Sequence, residues 1–340
     1  ENAETVLDPE LISSAENTNL FEYEQTHLNK RYKGFFKNMN PDEIVTWQGA
    51  LLKKPLLKLP GSLEEIALQL FKNLVSYMGD RSSSKAPPLH AIKHTRLALR
   101  SPEEVKDEAY LQVIKQITRN PNPNRCVRGW NMLAIMASCY PPSMELYHAL
   151  IHYFLDIIKT GDEDLAKRAN YIAIRLSKTF ESRRKIPPSD IEIKHVEAMK
   201  PIVIQMNFFS GAATSCQVES YTTIRELKTI VMRKLELNIS RIPYFSIYEM
   251  CIKPDCIEER YLNEFEKVCD ILAVWQKETE SYKEKNINVE FKFYLKLLLY
   301  YEYNPEDIDS VTMTYVQCNF EIIKGLYNLT EEEIIKLAAI

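Results

Sequence analysis

Glycine is scarce in this 340-residue chain, with only 8 in all. None stands in a Gly-x-Gly-x-x-Gly or Gly-x-x-x-x-Gly-Lys arrangement, which excludes the usual backbone loops that cradle a nucleotide phosphate. A Gly-x-Ser-x-Gly elbow is missing too, and with it the common hydrolase nucleophile turn. The seven cysteines (Cys126, Cys139, Cys216, Cys251, Cys256, Cys269 and Cys318) are odd in number, scattered, and never spaced Cys-x-x-Cys. That spacing offers neither a zinc ribbon nor a dithiol redox site, and it fits free thiols in a reducing cytoplasm. No apolar run reaches the ~18 residues a membrane helix needs. Residues Glu1 to Glu24 are acidic and polar, the reverse of a secretory leader. Catalysis has little to stand on, and no cofactor or metal is expected.

What is present is an ordinary soluble composition, 45% hydrophobic and 26% charged, on a chain long enough for two or three domains. The net charge of −4 hides an uneven distribution. Residues 58–185 carry 20 Lys and Arg against 13 Asp and Glu, a net of +7, so the remainder carries −11. A basic segment between acidic flanks predicts an electrostatic docking face in the first large unit.

Residues 1–40 read as weakly structured, with Phe21, Tyr23, Tyr32, Phe35 and Phe36 available to pin them to a folded body. Residues 58–180 read as a bundle of about six helices. Leu63 to Met78 carries a helical stripe, with Ser62 as the expected N-cap and Gly79 as the stop. A loop is expected over Arg81 to Pro88. Ser101 and Glu104 suggest a capping box for a helix ended by Asn120-Pro121-Asn122-Pro123. A further helix opens at Arg128-Gly129-Trp130 and stops at Pro141-Pro142; its nearly continuous apolar surface predicts that it is buried. Ser143 caps the next helix, and Asp162 to Phe180 forms another. After Pro187-Pro188 the period changes. Pro201 to Phe208 and Thr214 to Ser220 form a hairpin, Thr223 with Glu226 caps a helix, Tyr244 to Cys251 is a strand, Leu262 to Thr279 is mostly helical, and Val289 to Tyr300 is a strand. From Pro305 the pattern is helical again and ends on an uncovered apolar face, as though inside a domain.

Several segments carry a family likeness: KDEAYLQVIKQITRNPN (Lys106 to Asn122), Arg128-Gly129-Trp130, Pro141-Pro142-Ser143, YMGD (Tyr77 to Asp80), KIPPSDIEI (Lys185 to Ile193) and KPIVIQMNFFSGA (Lys200 to Ala212). In this order the chain resembles the myosin-tail homology 4 plus FERM tandem of unconventional myosin tails, most closely class VII, over about residues 45–340. The resemblance implies an α+β multi-domain fold. A lead-in segment (1–55) would precede an all-α helical bundle (56–198), a ubiquitin-like β-grasp lobe (199–302) and the first helices of an all-α, acyl-CoA-binding-protein-like lobe (303–340). It implies a non-catalytic module that grips protein adaptors or the cytoplasmic tails of receptors, with tubulin as a further candidate partner and a fold-back contact with a motor. It also implies a place at the cytoskeleton and cell cortex, contact with membranes only through partners, and an actin-activated motor ATPase elsewhere in the protein. Bundle and ubiquitin-like lobe are expected to pack as one unit, with partners in the groove between them. The alternative is a microtubule-binding module, as in kinesin-fused relatives.

Lys93, His94, Arg96 and Arg100, with Arg119 and Arg125, are the candidate docking cations; Arg183-Arg184-Lys185 is a second candidate patch. The competing reading is solvated loop or hinge charge. Arg128, Gly129, Trp130, Pro141 and Pro142 are expected to be structural. Relatives that bind microtubules have a basic helix after Pro-Pro-Ser, whereas here Lys159 is the first cation after Met144, which favours adaptor peptides. His148 and His152, spaced i, i+4, lack a third metal ligand in view. Nucleic acid is not expected, because exposed aromatics do not interleave with the basic segment.

Overall fold

The computed structural model describes residues 7–29, 44–181, 184–237, 239–298, 308–325 and 327–338. The chain divides into two compact units: Glu1–Ile202 with Glu219–Tyr221, and Val203–Val218 with Thr222–Ile340.

The first unit is helical: α1 (Pro9–Ala15), α2 (Leu20–His27), α3 (Gly61–Met78), α4 (Pro87–Leu99), α5 (Glu103–Ile117), α6 (Pro123–Ala137), α7 (Met144–Thr160), α8 (Glu163–Glu181) and α9 (Asp190–Glu197). Six of these lie within residues 58–181, as the periodicity predicts. Their boundaries follow local chemistry. Gly79 stops α3 at φ 86°, a left-handed geometry that costs a glycine nothing, and its N–H bonds Val75 O. Ser143 caps α7 by accepting from the Leu146 N–H at 3.3 Å.

Three starts differ from expectation. Pro60 rather than Ser62 precedes α3, with no side-chain cap. Ser101 does not cap α5: its hydroxyl donates back to Leu97 O at 2.8 Å and so closes α4. The helix expected from Arg128 begins at Pro123, because Asn122 accepts from the Arg125 N–H and proline suits the first turn. The Asn-Pro-Asn-Pro run therefore ends one helix and begins the next.

The C-terminal half of α6 is buried as expected, Met132 through Ala137 included. Yet the most enclosed element is α5, with twelve of its fifteen residues buried. They include Asp107, Glu108, Gln112, Lys115 and Gln116, so its polar residues need partners inside. Most find them in the chain before α3. Glu108 accepts from the Leu56 and Leu57 N–H groups at 2.9 and 2.7 Å. Lys115 Nζ donates to Ile44 O at 2.8 Å and also to Thr46 O. The Gln116 side-chain amide accepts from the Gln48 N–H at 3.3 Å and donates to Gln48 O at 3.2 Å. Farther upstream, Tyr23 OH donates to Asp107 at 2.9 Å and His152 Nδ1 meets Ala15 O at 3.0 Å. Residues 7–29 are thus folded onto the bundle, not weakly structured. Of the proposed aromatic pins Tyr23 is buried and Phe21 exposed, while Tyr32, Phe35 and Phe36 lie outside the described residues.

The second unit holds β1 (Ile202–Asn207), β2 (Ala213–Val218), α10 (Ile224–Lys234), β3 (Phe245–Ile252), β4 (Ile257–Tyr261), α11 (Val268–Glu284), β5 (Glu290–Leu297), α12 (Ile308–Ile323) and α13 (Glu331–Ala338). The sheet runs β2-β1-β5-β3-β4, with β1 and β5 parallel and β3 antiparallel to both β4 and β5. Hairpin, helix, then a central parallel strand is the ubiquitin-like order. The capping box of Thr223 and Glu226 forms as read. Strand β4 was not expected: Ile-Glu-Glu-Arg-Tyr is exposed at every position on the sheet edge, so no two-residue alternation marks it. Gln317 of α12 bonds both Leu297 N–H and Leu297 O, at 2.7 and 3.1 Å, and pins that helix to β5.

Candidate partner-docking site

The Arg81 to Pro88 segment is not one loop. Its Pro87-Pro88 pair opens α4, where fixed φ values and missing N–H groups are tolerated. Once those residues are helical, the candidate cations sort by face. His90, Ala91, His94, Thr95 and Ala98 point inward and are buried. Lys93, Arg96 and Arg100 point outward and are exposed.

The outward face lines a cavity of about 480 Å³ together with α3 and the Arg81–Lys85 connection. Six cations surround it: Lys72, Arg81, Lys85, Lys93, Arg96 and Arg100. The rest of the wall is Gln69, Asn73, Ser83, Ser84, His90 and Leu97, with no carboxylate among the lining residues. Among the described residues none of the six cations forms an ion pair. Their crowding is chemically visible. The Lys93 ammonium is held below its ordinary pKa first by its contact with Lys85, and further by the charges of Lys85 and Arg96. His90 is lowered by burial and then by Lys93, Lys85 and Arg81. Its Nε2 pairs with Ser83 Oγ at 2.8 Å, and its Nδ1 is buried without a partner.

Several residues proposed for docking take other roles. His94 is 0% exposed; burial alone drives its pKa down to about 3, so it is a neutral core residue and not a surface cation. Arg125 pairs with Asp80 at 3.3 Å, and the Asp80 carboxylate also accepts from Trp47 Nε1 at 3.2 Å. With the Asp80 side chain 1% exposed, Arg125 anchors the turn after α3. Arg184 is buried and paired with Glu192 of α9, so it belongs to the core. Arg183 lies outside the described residues. Arg119 and Lys185 are exposed, and Arg119 takes φ 54° just beyond α5.

Of the residues expected to be structural, Gly129, Trp130, Pro141 and Pro142 are buried, whereas Arg128 is exposed. A Cβ on Gly129 would lie 2.3 Å from Ile117 Cγ2 and 3.0 Å from Met78 Cε, so glycine lets α6 meet α5 and α3 closely. Trp130 packs at 6.3 Å from Phe154, and Pro141 and Pro142 are buried. The imidazole of His152 is occupied by Ala15 O and by Asp156 at 3.2 Å. The residues missed in sequence are Lys72, Arg81, Lys85 and His90, which reach the cavity from α3, the connection and the inner side of α4.

Comparison with known proteins agrees with this architecture. Residues 95–195 match the MyTH4 domain family and residues 200–299 the RA like domain family. Among curated relatives, the myosin-I heavy chain of Dictyostelium discoideum is 26% identical over 86% of this chain. Mouse unconventional myosin-VIIb is 27% identical over 77% of it, and Drosophila melanogaster myosin-VIIa is 32% identical over 48%. The chain spans only 13%, 12% and 7% of those relatives. The Dictyostelium myosin VII MyTH4-FERM MF1 structure superposes with a TM-score of 0.76 at 22% identity, over 95% of this chain and 64% of that one. The human myosin 7b C-terminal MyTH4-FERM domain, solved with the harmonin-a PDZ3 domain, gives 0.71 at 22% identity, over 94% and 64%.

Proposed function

Because the chain carries a MyTH4 domain followed by an RA-like domain, in the fold of myosin MyTH4-FERM modules, we propose that it is the adaptor-binding part of an unconventional myosin tail. MyTH4-FERM tail domains are non-catalytic binding modules. The observation that carries the reading is the cavity of six cations between α3 and α4, with no acid in its wall. Such a surface attracts acidic segments at long range and holds them by charge-assisted hydrogen bonds. The partners are protein adaptors or receptor tails that connect an actin-based motor to the cell cortex and adhesion sites. A protein partner is also supported by the human myosin 7b domain, whose structure contains a PDZ domain. An acidic surface on a motor is a further partner for the same face, which gives fold-back inhibition.

Microtubules are the competing partner, because tubulin presents acidic tails. The first turn of α7 carries Glu145 and its last turn Lys159, a helix without the basic outer face that reading requires. Co-pelleting with microtubules and binding to a Glu-rich adaptor peptide, each at two salt concentrations, separate the two. The adaptor reading expects peptide binding lost on reversing Lys93, Arg96 and Arg100, with little pelleting; strong salt-sensitive pelleting and no peptide binding overturn it.

A further inference from the structure

The basic cavity has a size and a wall that select a particular kind of anion. Its volume of about 480 Å³ falls in the small-molecule range of roughly 300–1,000 Å³. Side chains on an extended acidic peptide alternate in direction, so carboxylates on one face stand ~7 Å apart with a single charge each. A phosphate group concentrates about −1.5 to −2 charges and three strong acceptor oxygens on one centre. Six uncompensated cations in this small space call for the denser anion.

The floor of the site points the same way. His90 is 7% exposed and lines the cavity, with Nε2 held by Ser83 Oγ and Nδ1 buried without a partner. That nitrogen is closed off from the cavity, so a bound molecule would meet the His90–Ser83 pair at the floor and not Nδ1. Helix α4 begins here as well, with Ala86 at its N-cap, no side-chain cap and no acid in its first turn. Pro87 and Pro88 remove the backbone donors that a helix start otherwise offers an anion, so the side-chain cations must carry the binding.

We infer that this cavity binds a compact, multiply phosphorylated small molecule of the inositol-phosphate class, with Lys85, Lys93 and Arg96 on its phosphates and His90 at its floor. The inference rests on the same cavity that supports adaptor docking, but it names a different ligand and fails separately. The shared chemistry is neighbouring phosphates on one small ring, supplied either free or as the headgroup of a lipid.

Titration calorimetry of the whole chain with inositol trisphosphate tests the idea, with a parallel flotation assay on phosphatidylcholine vesicles whose only charged lipid is phosphatidylinositol bisphosphate. The wild-type chain is expected to bind the free trisphosphate with an affinity that falls steeply with salt. Lys85→Gln and Arg96→Gln are each expected to weaken it roughly tenfold or more, as loss of one charge-assisted contact does. Both residues are exposed, so the variants should keep the wild-type melting temperature. Lys167→Gln, on exposed α8 surface, should bind as wild type does. Trisphosphate binding together with flotation marks the lipid as source; trisphosphate binding without flotation marks the soluble molecule; either supports the site. No trisphosphate binding, or binding unchanged in the Lys85→Gln and Arg96→Gln double variant, overturns it. A Glu-rich peptide that binds the same cavity while trisphosphate neither binds nor competes also overturns it and leaves the adaptor reading standing.

Discussion

Glu108 accepts the backbone N–H of Leu57 at 2.7 Å from the centre of the bundle, with 0% of its surface exposed. Together with Lys115 seven residues on, it ties the chain before α3 onto α5 through groups that titrate near neutrality. Burial pushes the Glu108 carboxyl up to about 7, against the lowering effect of its hydrogen bonds to Leu57, Leu56 and Gln112. Burial brings the Lys115 ammonium down to about 8.

The two groups give stability a defined pH profile. For Glu108 the unfolded chain loses its proton first, so its contribution is full below about 4.5 and is lost as pH rises to about 7. For Lys115 the contribution is present above about 10.5 and is lost as pH falls to about 8. Between the two values both are at their minimum. Denaturant unfolding of wild type, Glu108→Gln and Lys115→Met across this range should show each variant flattening its own limb. For Glu108 the limb amounts to about 3 kcal/mol. Parallel profiles for all three proteins would refute the assignment.

His94 acts in the opposite direction on the acid side. Its ring titrates near 3 because it is buried, below the ordinary 6.5. Stability from this group is therefore full above about 6.5 and lost as pH falls toward 3. His94→Leu should reduce acid sensitivity between those values and leave acidic-peptide binding unchanged at neutral pH. A binding loss in a folded His94→Leu protein would return this residue to the docking face.

Gly129→Ala should destabilise the first unit by about 1–3 kcal/mol, because its Cβ would enter the space of Ile117 and Met78. A double-mutant cycle with Ile117→Ala checks the mechanism, and a favourable coupling between the two is expected. Additive effects would place the cost elsewhere.

Arg125→Ala should cost about 1–2 kcal/mol, since it leaves Asp80 buried with Trp47 alone and Arg125 itself is partly exposed. The same variant should bind acidic peptide as wild type does. Weaker binding with an unchanged melting temperature would mean that Arg125 faces a partner.

The contrast between Arg125 and Arg96 shows what could be read in advance. Helix periods, Gly79 as a stop, Ser143 as a cap and the Thr223–Glu226 box all depend on near neighbours, and they were legible. So was the position of Gly129-Trp130 inside the bundle. The polar stripe of α5 was not: Glu108, Gln112 and Lys115 look like a solvated face until the chain before α3, and Ala67 within α3, supply their partners. The basic cavity was half legible. Reading Pro87-Pro88 as a helix start places His90 and His94 on the inner face and Lys93, Arg96 and Arg100 on the outer one, from spacing alone. Lys72 and Arg81 join them only through the packing of α3 on α4, which no local pattern encodes.

The central claim is that the cations between α3 and α4 form a docking surface for acidic partners. Fluorescence anisotropy of a Glu-rich peptide tests it most directly, with wild type compared against the triple variant Lys93→Glu, Arg96→Glu, Arg100→Glu. The account predicts salt-dependent binding to wild type, at least a tenfold loss in the variant, and matching melting curves. Equal peptide affinity in the two proteins, both fully folded, would contradict it.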